Sequence, residues 1–169
     1  MTPSRVRVAN WHYLASLYGE ELPPLDRVRL RSLHLNWRGP ALTLRIDLPS
    51  PPLALPEEGA DPAVDTFQCH LQFMNVQDLS VTNWKPPITA RLSTSPRSAE
   101  NRIEVTVDQN EIIFLQFTSL TDIIARHLST FQLSPGGTDQ GPHLFKDKLD
   151  KLINNSSIPE PHKANFHGR

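Results

Sequence analysis

The sequence predicts a mainly β domain of the α+β class. It is expected to be an antiparallel β-sandwich or curled sheet of about seven or eight strands, with a short N-terminal helix and a C-terminal helical tail. Three observations carry this. Apolar and polar residues alternate in run after run between Arg27 and Leu133, the period of a strand. Turn-forming residues separate the runs at regular spacing. The chain also holds 16 prolines against 7 glycines with only 38% hydrophobic residues, which favours stiff loops and sheet over a helical bundle. At 169 residues it is long enough to bury one real core.

Met1 to Ala9 reads as an extended lead-in. A short helix is expected over Asn10 to Tyr18: Asn10 can cap it, Trp11, Leu14 and Tyr18 share a face, and Gly19 can end it. At two turns it needs a surface to dock on, and the sheet that follows is the candidate. From Arg27 the period becomes two. Val28 and Leu30 alternate with Arg27, Arg29 and Arg31, then the apolar parity moves to Leu33, Leu35 and Trp37, which predicts a bulge near Ser32. Arg38-Gly39-Pro40 turns the chain. Leu42, Leu44, Ile46 and Leu48 then alternate with Thr43, Arg45 and Asp47, as in a strand with one solvated face.

Pro49 to Val64 is a proline-rich connection with an acidic tip at Glu57, Glu58 and Asp61. Its length is that of a functional or disordered segment. Strand signals resume at Phe67, Cys69, Leu71 and Phe73, continue through Leu79, Val81 and Trp84, and again through Ile88, Ala90 and Leu92. Ile103, Val105 and Val107 lead to a tight turn at Asp108-Gln109-Asn110. Ile112 to Phe117 is continuously apolar, the pattern of a strand near the middle of a core. Thr121 to Ser134 fits strand or helix, and mostly strand is expected. After Pro135 the composition changes, from one lysine and eleven arginines before it to four lysines and one arginine beyond. The expected organisation is a β domain over 1–135, then over 136–169 a linker, a short amphipathic helix over His143 to Asn154 and a disordered end over Asn155 to Arg169.

The chemistry of the residues excludes more than it assigns. Formal net charge is −1, so no global field recruits nucleic acid or an anionic membrane surface. No apolar run approaches the ~20 residues of a membrane-spanning helix. The N-terminus lacks the apolar core of a secretory signal, so a cytoplasmic location is expected. The seven histidines show no metal-ligand spacing, and neither a metal nor another cofactor is expected. His34 and His70 are permitted as neighbours on adjacent strands. No nucleophile elbow, carboxylate pair on a common face or phosphate-cradling glycine loop occurs, so no catalytic residue is named and no enzyme is expected. Cys69 shares the parity of Phe67, Leu71 and Phe73, as a buried, inert thiol would. Arg27, Arg29 and Arg31 read as a solvated or edge-protecting stripe. Partner binding has better candidates: the acidic Glu57, Glu58 and Asp61, which suit a basic partner, and Trp84, of a residue type enriched at interface hot spots. A competing possibility is a sandwich that binds a small ligand such as a carbohydrate on Trp37 or Trp84.

The order of features also resembles a known family. Trp11, Leu14, Tyr18-Gly19 and Pro23-Pro24-Leu25 come first, then Val28 and Leu30, Gly39-Pro40, the Leu42 to Leu48 strand with Pro49, and Phe67, Leu71 and Phe73. The Leu79 to Trp84 segment and the Ile103 to Phe117 hairpin complete it. From Trp11 to Phe131 the chain is similar to the Immunity protein 50 family of bacterial polymorphic toxin systems. The resemblance implies a non-enzymatic cytoplasmic antidote that binds a cognate toxin domain and occludes it sterically. The acidic tip is a candidate contact if that toxin is a basic nuclease.

Overall fold

Alternating sequences become strands because a pleated chain sends successive side chains to opposite faces. The computed structural model describes residues 8–10, 24–48, 66–97, 101–131 and 143–145, and among them every regular element is a strand. In chain order these are β1 (Val28–Asn36), β2 (Ala41–Asp47), β3 (Thr66–Phe73), β4 (Gln77–Val81), β5 (Ile88–Pro96), β6 (Arg102–Gln109), β7 (Ile112–Leu120), β8 (Ile124–Phe131) and the two-residue β9 (Leu144–Phe145). They form one open antiparallel sheet in the order β4-β7-β6-β5-β1-β2-β3-β8-β9.

The sheet is curled. β5 pairs with β1 through Ile88 to Ala90 and with β6 from Arg91 onward, so it joins two halves of different course. Phe73 of β3 and Phe117 of β7 meet edge to face with centroids 5.0 Å apart, although five places separate their strands in the sheet. The Leu120 N–H also donates to the Met74 carbonyl at 3.0 Å, tying the end of β7 to the exit of β3. Inside the curl lies one apolar core, with Leu30, Leu42, Leu44, Ile46, Leu71 and Leu115 essentially without solvent exposure. Of the two sheet arrangements expected, the curled one is realised.

The bulge near Ser32 is present. Between Leu30 and Ser32 the register of β1 against β2 shifts by one, with Arg31 as the extra residue. The bulge re-aims that side chain. Arg31 is buried, and its Nε donates to Asp47 Oδ2 at 2.8 Å, while Gln68 Nε2 donates to Asp47 Oδ1 at 2.8 Å. Two expectations are corrected here. Arg31 does not belong to a solvated stripe, and the polar face of β2 is not in water: Thr43, Asp47, Gln68, His70 and Gln72 are all 5% exposed or less. Strands β2 and β3 are buried on both faces, one face apolar and the other hydrogen-bonded.

Other expectations change at the ends of elements. Asn10 places its side-chain amide against the backbone of Ala125 in both directions, at 2.8 and 2.9 Å, beside the parallel bridge of Val8 to Ile123. The rest of the expected N-terminal helix lies outside the described residues. The expected C-terminal helix begins instead as β9, whose Leu144 and Phe145 pair with Thr130 and Ser129. The outer side of β8 offers a ladder there, and the buried His143 seats the segment through Nδ1 to Ser129 Oγ at 2.8 Å. Beyond Phe145 that helix, too, is outside the described residues. Within Thr121 to Ser134, Ile124–Phe131 is the strand β8, as expected, and residues 132–134 lie outside the described residues. The β6–β7 turn sits at Asn110-Glu111, both at positive φ (51° and 67°), and the Glu111 N–H donates to Asp108 Oδ2.

Asp47 accepts from two buried donors, so Asp47→Ala is expected to lower unfolding free energy by about 3–5 kcal/mol, read from urea denaturation. A second outcome concerns pH. Burial, reinforced by His127, Arg45 and His143, holds His70 well below the usual histidine range, so it is neutral in the fold. The unfolded chain takes up the proton that the fold refuses, so stability is full above about pH 6.5 and falls as pH drops below it, by at most about 1.4 kcal/mol per unit for one histidine. Unfolding free energies measured between about pH 7 and 5 should show that slope, and His70→Gln should reduce it.

Candidate protein-binding edge

Titratable side chains in this protein are mostly committed to structure. His70 lies against His127, ring centroids 5.0 Å apart, rather than beside His34: β2 separates their strands, so the permitted His34–His70 neighbourhood is not formed. The Cys69 thiol is pushed up to about 12 by burial and, secondarily, by the charge of Asp47. A thiol so protonated is a poor nucleophile. Among the described residues no group of three His, Cys, Asp or Glu is arranged to hold a metal ion.

A polar cleft of about 770 Å³ opens where Asp26 and Arg27 approach Thr89, Arg91 and the Asp108–Glu111 turn. Its floor is stiffened by Arg91, whose Nε and Nη2 donate to the two Asp108 oxygens at 3.0 and 3.1 Å. The pair already satisfies both groups.

The exposed apolar residues are more informative. Among the described residues the large hydrophobics left in solvent are Leu35, Trp37, Leu79, Val81, Ile112 and Ile113. Leu35 lies on β1, inside the sheet order, and the other five follow the β4 edge. Trp37 stands in the β1–β2 turn, 81% exposed, and the Val76 N–H donates to Pro40 of that turn at 3.0 Å, setting it beside the root of β4. Leu79 and Val81 lie on β4, the terminal strand, all five of whose residues are exposed. The Thr82 N–H then donates to the Phe114 carbonyl at 2.9 Å, next to Ile112 and Ile113, which are 70% and 48% exposed. The expectation that Ile112 to Phe117 lies wholly mid-core is thereby corrected. Its first two residues run past the register of β4 with β7, which ends at Val81 opposite Leu115.

The tip at Trp37 is held in shape. Asn36 Oδ1 accepts the Arg38 N–H at 3.0 Å, Gly39 takes a φ of 102° that L side chains rarely adopt, and the Arg38 guanidinium lies 4.8 Å from the Trp37 ring centroid. Trp84 is different. It is half-buried on the core with its ring centroid 6.3 Å from that of Phe114, so it supports the edge more than it presents a surface. Glu57, Glu58 and Asp61 lie outside the described residues. The signal for Trp37 was in the sequence, an aromatic immediately before Arg38-Gly39-Pro40, but Trp84 before Pro86-Pro87 has a similar local setting.

A model of the Immunity protein 50 family matches residues 10–123. No curated protein and no solved structure matches the chain.

The two tryptophans should respond differently to truncation. Trp84→Ala, which removes packing on Phe114, is expected to cost about 2 kcal/mol of stability. Trp37→Ala is expected to stay within about 0.5 kcal/mol, both read from denaturant midpoints.

Proposed function

The chain belongs to the Immunity protein 50 family, and on that premise we propose that it is a non-enzymatic antidote that binds a cognate toxin domain and blocks it sterically. It acts in the cytoplasm of the producing bacterium, where a toxin delivered by kin would otherwise work. The observation that carries the reading is the edge from Trp37 through β4 to Ile112 and Ile113. Exposed apolar side chains line it, where a monomeric surface would ordinarily scatter them. A tryptophan under an arginine is a typical hot-spot composition, and a turn already fixed by Asn36 and Gly39 loses little entropy on binding.

The acidic stretch at Glu57, Glu58 and Asp61 supplies a second contact if the toxin is a basic nuclease. The carbohydrate reading has less support. Arg38 covers one face of the Trp37 ring, and the Trp84 ring is half-buried against Phe114.

The test is binding and rescue with the toxin domain encoded beside this gene. The wild-type chain should protect cells expressing that toxin. Trp37→Ala should weaken the complex by about 2 kcal/mol, roughly thirty-fold in Kd, by calorimetry. Combined reversal of Glu57, Glu58 and Asp61 to Lys should also weaken it if the partner is basic. A wild-type chain that neither binds nor protects would remove the assignment for that pair.

A further inference from the structure

We propose that β4 is a strand-addition site: an extended segment of the toxin pairs with its outer edge and rests apolar side chains on the flanking Trp37, Ile112 and Ile113. The inference rests on the antidote reading above and specifies how the partner is held.

The two edges of the sheet are not alike. Beyond β8 the sheet continues into β9, whereas among the described residues β4 is terminal, and all five of its residues are exposed. Its backbone directions follow from the ladder. Thr82 donates to Phe114, and Val81 stands opposite Leu115, so alternation turns the N–H and carbonyl of Val81 away from β7. A bare edge of this kind is a template for another strand, and natural proteins usually guard one with lysine or proline. Gln77 to Val81 contains neither. Its protection is confined to the exposed charge of Asp78 and the register break between Gln77 and Ser80, where Asp78 has a φ of 53°.

That break also decides the occupant. A second copy of this chain would bring the same interrupted strand, in which only Ser80 and Val81 follow the irregularity. Two residues on each side are far from the roughly 1,200 Å² of a stable interface. A longer strand from a different protein can run past both ends of β4. There it meets Trp37 with Arg38 beside Pro40 and Val76, and Ile112 and Ile113 with Glu111 beside Thr82. Charge marks the two ends differently. The matching segment is apolar along its length, acidic toward Arg38 and basic toward Glu111.

The experiment uses the full chain and a catalytically inactivated form of the toxin domain encoded beside its gene. Val81→Pro deletes the outward N–H without touching the bond from Thr82 to Phe114, and Val81→Thr keeps that N–H. Binding should fall by about thirty-fold or more for Val81→Pro and change by no more than about three-fold for Val81→Thr. Should Val81→Pro fail to fold, the double substitution Leu79→Lys with Val81→Lys puts charges on the exposed edge. It should weaken binding by about ten-fold or more. Wild-type affinity in either weakened variant overturns the inference while leaving the antidote reading intact. A wild-type chain that does not bind the toxin overturns both. A wild-type dimer by light scattering that Val81→Pro converts to monomer assigns the edge to a second copy and overturns the inference alone.

Discussion

The carboxylate of Asp47 is the point on which this structure turns. It is withdrawn from water and accepts from Arg31 of the β1 bulge on one side and from Gln68 of β3 on the other. Three neighbouring strands are thus locked in register by a group that would be very costly to leave unpaired. Arg31 is the extra residue of the bulge and lies on the Asp47 face, and beyond it the bulge shifts the parity of β1 so that Leu33 again matches Leu44. Around that centre, β2 and β3 bury both faces, with hydrocarbon on one side and a hydrogen-bonded layer on the other.

This arrangement assigns different tasks to the two halves of the sheet. The β1-β2-β3-β8 half buries β2 and β3 on both faces and is continued at its edge by β9. The β5-β6-β7 half curls over the core and meets it at Phe73 and Phe117, leaving β4 outermost. The proposed recognition falls to the β4 side. Chemistry that needs reactive side chains has little to work with there, since the buried thiol and the neutral His70 lie in the other half. Recognition needs shape, exposed apolar atoms and backbone groups, and the β4 edge supplies all three.

Much of this was legible in the sequence because it is local. The parity shift from Leu30 to Leu33 announced the bulge, and the alternation through Leu42, Ile46, Phe67 and Phe73 announced core strands. What failed was non-local. Alternation shows that Thr43, Asp47, Gln68 and His70 share a face, yet cannot show whether that face meets water. Trp37 and Trp84 look equivalent along the chain. They are separated only by the pairing of β4 with β7, which brings Phe114 against Trp84 and leaves Trp37 in solvent. The helix expected from His143 gave way to β9 because the strand edge it meets belongs to residues 14 and more positions earlier in the chain.

The central claim is that an antidote of this family holds its toxin along the β4 edge. Amide hydrogen exchange, measured residue by residue with and without the toxin domain, tests it most directly. In the free protein the Val81 amide should exchange fast and the Thr82 amide slowly, since only Thr82 donates to Phe114. Binding should slow Val81 by about ten-fold or more, while Thr82 changes little. Toxin-dependent protection elsewhere, with Val81 exchanging as in the free chain, would contradict the account.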